Sequence, residues 1–179
     1  EIRRAASPGQ FVSYAGSDIA RGENLLRAGT VIGSREIGML AACGIAQVSV
    51  ARRPRVAVMS TGDELVQPGE PLPPGAIYNS NRYALRALLE GMGCEVRDLG
   101  TVPDNLDATR DALRRAAADN DLIITSGGVS VGEEDHVKPA VEAEGRLDMW
   151  KIAIKPGKPL AFGEVRKADG KARNTGGGE

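Results

Sequence analysis

The sequence predicts an α/β fold, a mainly parallel sheet sandwiched by helices and preceded by a small β-rich unit. Three observations carry that reading. Short apolar runs of the buried-strand type recur from residue 55 onward, as in Arg55–Ser60 (RVAVMS) and Asp121–Thr125 (DLIIT). Between them lies helical periodicity: Leu85, Leu88, Leu89 and Met92 fall at i, i+3, i+4 and i+7, one apolar stripe. Glycine or proline punctuates the changes from one rhythm to the next. Strands alternating with helices at this spacing make crossover units, which run their strands parallel.

The elements follow in order. Residues 1–53 form part of a small β-rich domain. In it the apolar stretches Gln10–Tyr14, Leu25–Leu26, Thr30–Ile32 and Gln47–Val50, separated by glycine turns, are expected as strands. One short helix is expected from Ser34, as N-cap, to Cys43, with Gly44 as its stop. Arg52-Arg53-Pro54 marks the boundary to an α/β domain over 54–165. There the strand Arg55–Ser60 leads through the Pro/Gly-rich loop Gln67–Gly75 to a helix over Asn81–Met92, which Gly93 ends. A strand over Cys94–Leu99, a helix over Leu106–Ala118 and the strand Asp121–Thr125 come next. A glycine loop, a helix over Asp135–Ala143 and two strands near Trp150–Ile154 and Leu160–Val165 complete the domain. Residues 166–179 are glycine-rich and poor in apolar side chains, and read as a flexible tail.

Composition excludes several function classes. A formal charge of -1 on 179 residues argues against a nucleic-acid binder, and aromatics at 3% argue against a single-strand binder built on stacked rings. Cys43 and Cys94 form no CxxC pair and are expected to be structural; His136 is the single histidine and reads as a surface helix residue. No apolar run is long enough for a transmembrane helix, and the start, Glu1-Ile2-Arg3-Arg4, has no signal-peptide pattern and reads as the interior of a longer protein. All six lysines lie from Lys138 onward, whereas the 17 arginines are spread along the chain.

Chemistry is expected at the carboxyl ends of the strands, where open α/β sheets bind ligands. Three loops belong to that edge: Ser60-Thr61-Gly62-Asp63-Glu64-Leu65, Thr101-Val102-Pro103-Asp104, and Ser126-Gly127-Gly128-Val129-Ser130-Val131-Gly132-Glu133-Glu134-Asp135. Gly127, Gly128 and Gly132 let backbone approach a ligand, Ser126 and Ser130 add hydroxyls, and the next helix offers free N–H groups, so an anion could dock there. An ordinary βα turn accounts for the same run. It matches neither the Walker loop nor the GxGxxG fingerprint. The same edge gathers Asp63, Glu64, Asp104 and Asp135, hard oxygen ligands of the kind that hold Mg²⁺ together with water and phosphates; N-capping explains any one of them alone. Lys151 and Lys155 share a strand face, and Lys158 follows in a turn stiffened by Pro156 and Pro159, an array suited to an oxyanion or, equally, a solvated hairpin turn.

Four segments in order, Ser60–Leu65, Ile77-Tyr78-Asn79-Ser80-Asn81-Arg82, Ser126–Asp135 and Trp150–Pro159, resemble the molybdopterin molybdenumtransferases, the MoeA and gephyrin E-domain family, from about Gln10 to Gly163. The resemblance implies a molybdopterin-binding domain of the MoaB/Mog-like kind. It implies insertion of molybdate into adenylylated molybdopterin with release of AMP, aided by Mg²⁺, in molybdenum cofactor biosynthesis. By matching position, Glu64, Asp104, Asp135, Lys151 and Lys155 fall on catalytic groups. Thr61, Gly62, Asn79, Ser80, Asn81, Ser126, Gly127, Gly128, Ser130, Gly132 and Lys158 fall on ligand-binding positions, and Asp63, Glu64, Asp104 and Asp135 on the metal. It further implies a cytoplasmic homodimer that serves small-molecule substrates and touches an adenylyltransferase and molybdoenzymes. A molybdopterin adenylyltransferase, whose glycine loop is of a Thr-Gly-Gly-Thr-Gly type, and a non-catalytic molybdopterin-binding scaffold remain as alternatives.

Overall fold

Val56, Ala57, Val58 and Met59 are each at most 1% exposed, and the strand they form, β1 (Arg55–Thr61), organises everything after residue 51. The computed structural model describes residues 5, 7–128, 136–150 and 160–167, within two units, Glu1–Ala51 and Arg52–Glu179. In the second unit β1 lies between β4 (Glu95–Val102) and β5 (Leu122–Ser126), parallel to both. A strand flanked on both edges and covered on both faces must be apolar throughout, which is how RVAVMS reads.

The two faces of β1 are covered by different helices. Val56 and Val58 pack with Leu89 of α2 (Ser80–Gly91), joined by Leu85, Val96 and Ile124. Met59, on the opposite face, packs with Ala112 and Leu113 of α3 (Leu106–Asp119) and Ala140 of α4 (Val137–Glu144). Side chains alternate along a strand, so a two-residue period assigns one face to α2 and the other to α3 and α4. Asn79 and Asn105 cap α2 and α3, accepting from Arg82 N–H at 3.3 Å and Ala108 N–H at 2.8 Å. Two short ladders complete the unit: β2 (Leu65–Val66) with β3 (Ile77–Tyr78), parallel, and β6 (Gly145–Trp150) with β7 (Ala161–Val165), antiparallel. At the opposite, amino-terminal edge, the Arg52 guanidinium grips both oxygens of Asp121, which also accepts from Arg55 N–H at 2.9 Å.

In the first unit, α1 (Ser34–Ala42) is the one helix among the described residues. Ser34 begins it rather than caps it. The N-cap is Gly33, whose N–H donates to the Glu36 carboxylate at 2.9 Å. The end is a Schellman motif: Ile45 N–H reaches Leu40 C=O and Gly44 N–H reaches Ala41 C=O, each at 2.9 Å, with Gly44 at φ +74. The four stretches expected as strands are turns and irregular chain. Their backbone bonds close locally, as in Ser17 N–H to Tyr14 C=O and Thr30 N–H to Arg27 C=O. A strand needs a partner and a layer to cover it, and among the described residues Phe11, 93% exposed, and Val31, 87% exposed, have neither.

Other expectations shift for similar reasons. Of the apolar stripe on α2, Leu89 is buried, but Leu88 is 60% and Met92 71% exposed, because Leu88 stands beside the sheet and Met92 caps the helix beyond its last turn. Cys43 is exposed at the end of α1 rather than structural, while Cys94 packs partly buried against the α2-side cluster. His136 is the N-cap of α4, which starts at Val137 rather than Asp135. β6 begins five residues before the strand expected near Trp150, and residues 151–159 and 168–179 lie outside the described residues.

A charged clamp joins α3 to α4. Glu144 accepts from Arg110 Nε at 2.7 Å and from Arg114 Nε and Nη2 at 2.8 and 2.7 Å. Bonding to Arg114 first, then to Arg110, holds the Glu144 carboxyl below the ordinary glutamate range, and the same contact raises Arg114. A depressed carboxyl contributes stability that is complete above the unfolded glutamate pKa and is lost as pH falls through the lower folded value. Denaturant midpoints should therefore show wild type ahead of Glu144→Gln at neutral pH, the gap closing as pH drops below the glutamate range; a pH-independent gap contradicts the clamp. Met59→Ala should cost about 3 kcal/mol in the same assay, whereas Met92→Ala should stay within about 0.5 kcal/mol.

Candidate functional site

Because β1, β4 and β5 run parallel, their carboxyl ends deliver three loops to one edge of the sheet. The chain leaves β1 at Thr61, which is 2% exposed, and turns at Gly62, whose φ is +137. That conformation is open to glycine, and a Cβ there would run into the Glu64 carboxylate, which folds back over the turn. Asp63 and Glu64 follow, both exposed. Asp104, half-buried beyond β4, donates its backbone N–H to Asp63 Oδ1 at 3.4 Å, so the first two loops meet.

The third loop begins at Ser126 and packs on the first. Gly127 and Gly128 have φ of +97 and +65. A Cβ on Gly127 would overlap the Thr61 carbonyl, and one on Gly128 would overlap Val137 and lie 2.7 Å from Thr61 Oγ1. Glycine is thus required twice over, by conformation and by contact. The close approach leaves the hydroxyls of Thr61 and Thr125 buried with no hydrogen-bond partner among the described residues. Buried polar groups without a partner are uncommon in folded proteins.

The first turn of α2 forms the third side. Asn81 Nδ2 donates to Ser126 Oγ at 3.1 Å, and Asn81 and Ser80 are exposed. A groove of about 440 Å³ runs from this contact between α2 and β5, lined by Asn81, Leu85, Leu88, Ile124, Ser126 and Gly127. Asn79 differs from its two neighbours. At 2% exposure, its carboxamide turns inward to Ser60 Oγ and Thr101 Oγ1, each at 3.5 Å.

Of the residues expected at the site, the structure gathers Thr61, Gly62, Asp63, Glu64, Asp104, Ser80, Asn81, Ser126, Gly127 and Gly128 along one edge. Asn79 lies just beneath it. Ser130, Gly132, Asp135, Lys151, Lys155 and Lys158 lie outside the described residues. No group of three or more His, Cys, Asp or Glu close enough to share a metal ion occurs among the described residues. Sequence reasoning gave no role to Gln67, Arg82 and Asp98, which with Thr101 of the second loop form a partly buried polar chain behind the loops: Arg82 Nε to Asp98 at 2.7 and 2.8 Å, Arg82 Nη1 to Gln67 Oε1 at 2.8 Å, and Gln67 Nε2 to Thr101 Oγ1 at 3.1 Å. Arg82 ends one of the recognised segments, a signal that was available; Gln67 carried none.

The family described as the probable molybdopterin binding domain matches residues 57–175, and the MoeA N-terminal region (domain I and II) matches residues 1–44. The molybdopterin molybdenumtransferase of Haemophilus influenzae is 47% identical over 161 residues, covering 90% of this chain and 40% of that protein. That of Nostoc is 44% identical over 160 residues, covering 89% and 37%. The crystal structure of a molybdopterin biosynthesis MoeA protein from Pyrococcus horikoshii superimposes with a TM-score of 0.76 at 35% identity, covering 90% of this chain and 40% of that one. The chain therefore spans about two fifths of the length of the relatives it matches.

The packing of the glycine loop on Thr61 makes a direct prediction. Gly127→Ala should destabilise the domain by more than about 1 kcal/mol, because it adds both a strained φ and an overlap. Gly91→Ala, at a helical position with open space around it, should be neutral or slightly stabilising. Equal denaturation midpoints for the two variants would sink the close-approach account.

Proposed function

The chain belongs to the family of the probable molybdopterin binding domain, in the branch of the molybdopterin molybdenumtransferases, and on that premise we propose that it forms the part of such an enzyme that holds adenylylated molybdopterin while molybdate is inserted and AMP is released. One observation carries the reading: the glycine turn at Gly127–Gly128, the paired loops of Asp63 and Asp104, and the first turn of α2 converge on the carboxyl edge of a parallel sheet.

The roles follow from chemistry. Ser126, the backbone of Gly127 and Gly128, and the neighbouring Asn81 and Ser80 offer donors with no bulk in front of them, suited to phosphate oxygens and polar ring edges. Ser130, Gly132 and Lys158, which lie outside the described residues, are assigned to the same ligand by sequence position. Thr61 and Gly62 form the floor of the site. Lys151 and Lys155 draw molybdate and phosphate by charge, and Glu64, Asp104 and Asp135 orient a reacting water or the leaving group. The donor set is also one that Mg²⁺ accepts, since that ion takes one or two carboxylates and completes its shell with water and phosphate oxygens. Asp63 and Asp104, whose loops meet, are its first candidates, with Glu64 next to Asp63 in the chain and Asp135 assigned from sequence alone. When bound, it would offset the charge of the ligand phosphates. On the same reading the protein is a cytoplasmic homodimer that receives its substrate from an adenylyltransferase and serves molybdoenzymes, as the resemblance to molybdopterin molybdenumtransferases implies. Among the described residues no helix is long and apolar enough to cross a membrane.

Two measurements test this reading. Calorimetric titration of the 179-residue chain with molybdopterin should give a binding isotherm, and Ser126→Val should weaken it about tenfold or more, the effect of losing one hydrogen bond to a charged group. In the longer protein, AMP release from adenylylated molybdopterin with molybdate and Mg²⁺ should fall at least about tenfold in Asp104→Asn. Unchanged binding in the first variant together with unchanged turnover in the second would refute the assignment of this edge.

A further inference from the structure

We propose that Arg82 is a positioning residue of this edge: through Asp98 it locks a β-bulge in β4 that turns Thr101 toward α2 and delivers Asp104 to Asp63. The bulge is in the register. Val58 opposes Asp98 and Ser60 opposes Thr101, so two steps along β1 match three along β4, and one residue of β4 is extra.

Side-chain direction on the two sides of the bulge shows what it does. Before it, Val96 packs in the α2-side cluster and Asp98 meets Arg82 of α2, whereas Leu99 packs on the opposite face against the cluster of Met59 and Leu113. In an unbroken strand Thr101 would follow Leu99 to the α3 face, and Val102 would face α2. The reverse is found. Thr101 Oγ1 accepts from Gln67 Nε2 at 3.1 Å and Asn79 Nδ2 at 3.5 Å on the α2 side, and Val102, 4% exposed, joins Met59 and Leu113. One inserted residue has inverted the faces just before the chain exits through Pro103 to Asp104, whose N–H reaches Asp63.

Two features fix the insertion in place. Gly100 takes φ +80 and donates its N–H to Asp98 Oδ1 at 2.9 Å. Asp98 is in turn gripped by Arg82 Nε through both oxygens, while Arg82 Nη1 holds Gln67, the residue that bonds Thr101. The Arg82 and Asp98 side chains are 20% and 19% exposed, so the pair is shielded from the water that weakens surface ion pairs. A planar guanidinium meets Asp98 and Gln67 from separate nitrogens held in a fixed fork, whereas a lysine ammonium presents all its donors from one flexible point. The proposal rests on the reading of this edge as the ligand site, but Arg82 itself need touch no ligand.

The test uses amide exchange read by mass spectrometry and calorimetry with molybdopterin on the chain and its variants Arg82→Gln, Gly100→Ala and Arg86→Gln. Arg86, which pairs with Glu90 one turn further along α2, is the control for lost surface charge. In R82Q and G100A, residues 99–105 and 61–65 should exchange at least about tenfold faster while α3 changes less than about twofold. Their molybdopterin Kd should rise about tenfold at temperatures well below melting, with R86Q unchanged. Faster exchange spread evenly over the sheet, or unaltered exchange at 99–105, overturns the proposal. So does a Kd that rises only in step with the unfolded fraction. If the wild-type chain takes up no molybdopterin, the reading of the ligand fails, and the exchange pattern alone decides the bulge.

Discussion

The constraint on which the second unit depends is the complete burial of β1. A central parallel strand has neighbours hydrogen-bonded on both edges and helices on both faces, so none of its side chains from Val56 to Thr61 reaches water. The alternation of Val56 and Val58 against Met59 then assigns α2 to one side and α3 with α4 to the other. Because all three strands point the same way, the loops that follow them share one edge. The site is a consequence of strand direction before any of its side chains is considered.

What fills that edge is chiefly backbone. Gly127 brings main chain against the Thr61 carbonyl at the end of β1, while Gly62 and Gly128 lie against the side chains of Glu64, Val137 and Thr61, all at separations that leave no room for a Cβ. The same closeness strands the Thr61 hydroxyl without a partner among the described residues. Such a surface suits a ligand rich in acceptor oxygens, since backbone N–H groups and small hydroxyls can approach it while bulky side chains stay out of the way. Behind it, the chain of Asp98, Arg82, Gln67 and Thr101 supplies rigidity that three loops of this composition lack on their own.

Charge is organised on the same plan. The arginines that dominate the basic residues are largely engaged within the fold: Arg52 with Asp121, Arg82 with Asp98, and Arg110 and Arg114 with Glu144. A pair as open to water as Arg52 with Asp121 adds little stability by itself, whereas Arg82 with Asp98 is shielded. Their role is geometric, holding strand ends and helix starts in one relation.

The sequence by itself determined the class of fold, the main alternation of strands and helices after residue 54 but not the short β2–β3 ladder, and the three loops that leave the strands at their carboxyl ends. Those depend on local quantities, namely apolar runs of strand length, a 3.6-residue stripe and glycine at tight turns, and each is visible within a window of a few residues. It misjudged the first unit, where Phe11 and Val31 had the composition of strand residues but no neighbouring strand to pair with. Adjacency in sequence also does not reveal that the Asn79 carboxamide faces in while that of Asn81 faces out. Only the tertiary structure decided that Asp104 meets Asp63, that the glycine loop presses on Thr61, and that an extra residue near Gly100 reverses the faces of β4. Each of these depends on the register between strands dozens of residues apart, and register is fixed by packing across the sheet.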